Sequence, residues 1–79
     1  MKIAEAVTQR VLNLCNEHNL SINKLAILSG LTQSTVQSLI DGKSKNFTIL
    51  TIVRICDSLN ITLAEFFKDE LFENIDIEL

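Results

Sequence analysis

Apolar residues recur at helical spacing along most of the chain. Ile3, Val7, Val11, Leu14 and Cys15 step by four, four, three and one, which predicts one face of a helix over roughly residues 3–18. Ser21 reads as the N-cap of a second helix whose apolar positions are Ile22, Leu25, Ala26 and Leu28, and Gly30 ends it. Thr32 caps a third helix, about 33–41, and Gly42 stops it. Thr48 opens a fourth, with Ile49, Ile52, Val53, Cys56 and Leu59 turned inward. Thr62-Leu63-Ala64-Glu65 has the form of a capping box and starts a fifth helix that buries Leu63, Phe66 and Phe67. The period changes only at the end, where Ile75, Ile77 and Leu79 alternate with Asp76 and Glu78. That alternation predicts a short strand, which either frays or pairs with a copy of itself. The expected fold class is therefore all-α: a compact five-helix domain over residues 1–69, then an acidic and apolar tail over 70–79 that is extended and a candidate for dimerisation.

Composition agrees with this picture. The 79 residues make one domain with a thin core, and there is no Pro and only two Gly to interrupt helices. Cys15 and Cys56 lie far apart and outside any Cys/His cluster, so they read as core residues and no metal site is expected. No long apolar run or leader pattern is evident, so no membrane partner is expected and the cytoplasm is the expected compartment. No Ser/His/Asp, Cys/His or paired-carboxylate arrangement suggests an enzyme, and no cofactor is expected. His18, near the end of the first helix, suits the helix dipole there. Asp69, Glu70 and Glu73 read as a solvated acidic face.

Charge is unevenly placed. The net charge is −3, but residues 1–64 carry six basic against four acidic side chains, and residues 65–79 carry one against six. The acid belongs to the tail. A nucleic-acid binder needs positive charge at its contact face rather than in its total.

The second and third helices are short and joined by Gly30-Leu31-Thr32. Gly30 is expected at positive φ. Leu25, Leu31, Val36 and Leu39 have the spacing to fill the angle between the two helices, with the small Ala26 allowing close approach. This is a helix-turn-helix pattern. The stretch LSINKLAILSGLTQSTVQSLIDGKSKN resembles the phage-repressor-type helix-turn-helix family, often called the Xre family, and the resemblance covers roughly Arg10 to Phe67. Leu25-Ala26, Ser29-Gly30-Leu31-Thr32, Thr35-Val36, Gly42-Lys43 and IVRICDSLNITLAEFF (52–67) fall in register with it.

The resemblance implies a repressor-like domain whose third helix enters the major groove of double-stranded DNA. Helical spacing puts Gln33, Ser34, Gln37 and Ser38 on the side opposite Val36, Leu39 and Ile40, where amides and hydroxyls suit base edges. Asn23, Lys24, Thr32, Thr35, Lys43, Ser44, Lys45 and Asn46 are the candidates for backbone contact. Two positions depart from the family pattern. Ile22 stands where many relatives carry a phosphate-contacting Gln, with Asn23 a partial substitute. Phe47 stands where relatives often carry Pro, and is expected to cover the core.

The expected function is a sequence-specific transcriptional regulator, a repressor, acting as a homodimer and without an evident small-molecule effector. The alternative is an interaction module, antitoxin-like or anti-regulator, that keeps the fold without binding DNA. The acidic tail and apolar residues such as Ile27 and Ile40 at candidate surface positions would suit that second reading.

Overall fold

The computed structural model describes residues 1–41 and 48–77. Its helices are α1 (Ile3–Glu17), α2 (Ile22–Ser29), α3 (Gln33–Ile40), α4 (Ile49–Leu59) and α5 (Leu63–Phe67), followed by a 3-10 turn, Glu70–Phe72. The expected all-α class is what forms, in a body of 34 × 24 × 20 Å. Gly42, Phe47 and the end of the tail, residues 78–79, lie outside the described residues.

Three connections share one design. Asn19, Gly30 and Asn60 all sit in the left-handed region, at φ 54°, 68° and 57°. The next residue, Leu20, Leu31 or Ile61, donates its N–H to a carbonyl five positions back, at 2.9, 3.0 and 3.0 Å. Each of these apolar residues also packs on the core. The residue after that caps the following helix: Ser21, Thr32 and Thr62 each accept a backbone N–H through the side chain. Each turn therefore satisfies the last carbonyls of one helix, anchors a side chain and opens the next helix within three residues.

The core takes Val7, Val11, Leu14 and Cys15 from α1, Leu25 from α2, Leu39 from α3, Ile52, Ile55, Cys56 and Leu59 from α4, and Phe66 from α5. Both cysteines are buried, and burial pushes each thiol pKa up. Several residues expected inside are not. On α4 the inward stripe is centred on Ile52, Ile55, Cys56 and Leu59, so Ile49 and Val53 turn outward. Ile3, Leu28 and Leu63 are exposed as well. Ile3 and Leu63 are the first residues of their helices, and Leu28 is the last but one of α2. Phe66 is the side chain that α5 buries fully; its ring meets Phe67 edge-on at 5.0 Å, and Phe67 meets Phe72 at 4.9 Å.

Arg10 ties the two ends of the chain together. Its Nε donates to Phe66 O at 2.7 Å, one Nη to Glu65 O at 2.9 Å, and the other Nη to Asp69 Oδ2 at 3.2 Å. A five-residue helix leaves most of its carbonyls without partners, and the guanidinium fork supplies two. Asp69 is thus not part of a solvated acidic face. It pairs with Arg10, and its other oxygen accepts the Leu71 N–H at 3.0 Å.

The expected strand does not form at residues 75–77. Instead the Asp76 N–H donates to Met1 O at 2.9 Å, and the Met1 ammonium sits 3.0 Å from Asp76 Oδ2. Leu71, Phe72 and Ile75 are half-buried, and Phe72 packs on the core, so their apolar surface is partly used within the chain.

Candidate nucleic-acid interface

The geometry of α3 follows from four anchors. Val36 and Leu39 are buried beneath it. Thr32 accepts the Thr35 N–H at 3.2 Å and caps its first turn. Thr8 on α1 donates its hydroxyl to Leu39 O at 2.8 Å, which fixes the C-terminal end. Gly30, with its positive φ, sets the turn from α2, whose Leu25 and Ala26 are buried against it. Behind α2, the Ser29 and Ser58 hydroxyls meet at 3.0 Å and hold α2 to α4.

With Val36 and Leu39 inward, Gln33, Ser34 and Gln37 are exposed and Ser38 is half-exposed. The four candidate base-reading residues therefore share one open face. Both glutamines are held in place. Gln33 Nε2 donates to Asn23 Oδ1 at 3.2 Å, across the turn from α2. Gln37 Nε2 donates to Asp41 Oδ1 at 2.9 Å, one helical turn on. A carboxylate accepts only, so the Gln37 amide nitrogen faces Asp41 and its carbonyl oxygen is left for other donors.

Asp41 was visible in the sequence only as one of the acidic charges. Its place beside Gln37 follows from helical spacing, four residues on and just past the end of α3. Asn23 takes up the bracing of α3, while Ile22 packs on the core. Thr32 and Thr35 are engaged with each other at 2.8 Å in the helix cap. Lys24 is exposed on the first turn of α2. Lys43, Ser44, Lys45 and Asn46 lie outside the described residues. No group of His, Cys, Asp and Glu among the described residues is placed to hold a metal ion. No described helix is long and apolar enough to cross a membrane.

A family model described as a Cro/C1-type helix-turn-helix DNA-binding domain matches residues 10–71. The chain belongs to that family. It is a helix-turn-helix DNA-binding domain of the kind used in transcription regulation. Among solved structures it is similar to the crystal structure of the prophage Lp1 protein 11, at 38% identity and a TM-score of 0.83, covering 95% of this chain and 100% of that one. No curated protein matches it. The Cro/C1-type match spans α2 and α3 in full, so the face carrying Gln33 and Gln37 lies inside the matched segment.

Proposed function

We propose that this protein is a sequence-specific transcriptional repressor that inserts α3 into the major groove and binds as a homodimer. The observation that carries the reading is the uncharged polar face of α3, anchored from behind and braced on both flanks by Asn23 and Asp41. Gln33 and Gln37 each keep one amide N–H and the carbonyl oxygen, the pair needed for adenine N7 and N6–H. Ser34 and Ser38 serve donor or acceptor edges. Each good paired contact discriminates against the wrong base by about 1–3 kcal/mol. Bracing removes rotamer freedom before binding, so less is lost on contact.

The phosphate contacts in this reading come from Lys24, Lys43 and Lys45, with Asn23, Thr32, Thr35, Ser44 and Asn46 adding hydrogen bonds. Two copies would present their α3 helices about 34 Å apart to a near-palindromic site. Repression follows from occupying promoter DNA.

Salt dependence tests the binding mode. Affinity for duplex should fall steeply as salt rises, and Lys24→Ala, Lys43→Ala and Lys45→Ala should each reduce the log–log slope by about 1. Absence of duplex binding at low salt, or a salt-independent affinity, would refute the reading and favour an interaction module.

A further inference from the structure

We infer that Asp41 is a positioning residue that makes Gln37 read bases in one sense only, whereas Gln33, braced by an amide, reads in two. The inference deepens the base reading proposed above and rests on it. The two braces are chemically unlike. Gln37 Nε2 donates to a carboxylate oxygen of Asp41 at 2.9 Å, and Gln33 Nε2 donates to the side-chain carbonyl of Asn23 at 3.2 Å. A carboxylate only accepts, while an amide carries an acceptor on one arm and donors on the other.

Turning each glutamine over brings out the difference. If Gln37 rotates its amide by a half-turn, its Oε1 faces the Asp41 oxygen. Two acceptors then meet, one of them charged, and the charge-assisted hydrogen bond is lost. If Gln33 rotates, Asn23 rotates with it: Asn23 Nδ2 donates to Gln33 Oε1, and the bond between the two side chains is kept. Asn23 remains able to turn beside DNA because its phosphate contact can come from its backbone N–H. That N–H lies in the first turn of α2, where Ser21 Oγ takes the Lys24 N–H at 3.1 Å instead.

The two states suit different bases. In the observed sense each glutamine offers Oε1 and one N–H, which match N6–H and N7 of adenine. In the turned sense Gln33 has its oxygen engaged by Asn23 and both N–H groups free, which match O6 and N7 of guanine. Gln37 lacks that second state, because its carboxylate brace holds one N–H and repels the oxygen. Gln33 therefore accepts adenine or guanine, and Gln37 adenine over guanine. Asp41 acts through Gln37 and needs no contact with DNA itself.

Selection of bound duplexes from a random pool, followed by competition binding with adenine or guanine at the selected position, tests this on the full chain. Gln33→Ala and Gln37→Ala first assign the base pair that each glutamine reads. Wild type should prefer adenine over guanine by about fivefold or more at the Gln37 position and by less than about twofold at the Gln33 position. Asp41→Asn supplies an amide brace that turns, and should bring the Gln37 ratio down to the Gln33 level, with helical circular dichroism and non-specific affinity retained. Asn23→Asp supplies a carboxylate brace and should raise the Gln33 ratio to the Gln37 level. Its added charge weakens binding to all sequences alike and cancels in the ratio. Equal adenine preference at the two positions in wild type, or failure of either exchange to move its ratio, would overturn the inference while leaving base reading intact. If Gln37→Ala changes no preference, base reading by Gln37 fails, and this inference fails with it.

Discussion

Removing Arg10 should be among the most damaging single changes outside the apolar core. The side chain is 11% exposed and makes three charge-assisted contacts, two to carbonyls at the end of α5 and one to Asp69. Arg10→Ala leaves Phe66 O without its donor in a partly buried position, at about 1–2 kcal/mol. Glu65 O is exposed and recovers water, so its loss is small. Asp69 loses its partner; its side chain is about one-quarter exposed, so solvent screening holds this to about 1 kcal/mol. Lost packing of the guanidinium stem adds about 1 kcal/mol.

The expected total is about 3–4 kcal/mol. A domain of this size has only about 4–12 kcal/mol of stability. The thermal midpoint should fall by about 12–30 °C, and the urea midpoint should fall without a change in slope. Arg10→Lys keeps the charge but not the fork, and should lose about half as much. Asp69→Asn should cost about 1 kcal/mol. A change below about 1 kcal/mol for Arg10→Ala, or an equal loss for Asp69→Asn, would refute the view that the α5 carbonyls carry the effect.

Other outcomes can be checked in the same stability assay. A Cβ at Gly30 meets no atom within 4 Å, so Gly30→Ala should cost only the backbone strain of positive φ, about 1–2 kcal/mol. Gly30→Asn should cost clearly less than that, since Asn19 and Asn60 hold the same conformation; equal losses would refute the turn assignment. Glu65 is held below its ordinary value of 4.5, first by the Thr62 backbone N–H and then by the Thr62 side chain. A lowered pKa stabilises above the unfolded value and is lost as pH falls through the folded one, so Glu65→Gln should flatten the decline of stability below about pH 4.5. An acid limb identical to wild type would contradict the capping box. Asp41→Ala should weaken base preference at the position read by Gln37 while leaving non-specific affinity unchanged or raised, because a carboxylate near phosphate is lost; an unchanged preference would remove Asp41 from the site.

Much of the fold was legible because its boundaries are written in capping residues. Ser21, Thr32, Thr48 and Thr62 mark four helix starts, and each accepts the backbone N–H that a cap requires. Gly30 announced its turn, but Asn19 and Asn60 did not, because Asn is common at ordinary surface positions too. The inward face of α4 was ambiguous: Ile49, Leu50, Ile52, Val53 and Ile55 offer aliphatic side chains round most of the helix, and only packing against α2 and α5 selects among them. The polar face of α3 was readable from spacing alone. Its braces were harder to see. Asn23 lies ten residues from Gln33, and the carbonyls that Arg10 holds lie more than fifty residues away. Periodicity carries no information about such contacts.

The most direct measurement is selection of bound duplexes from a random pool, run with wild type, Gln33→Ala and Gln37→Ala. Wild type should return a preferred, near-palindromic sequence. Each variant should keep general affinity and lose preference at its own positions, by about 1–3 kcal/mol per base pair. The same preferred sequence from all three proteins would contradict base reading by α3.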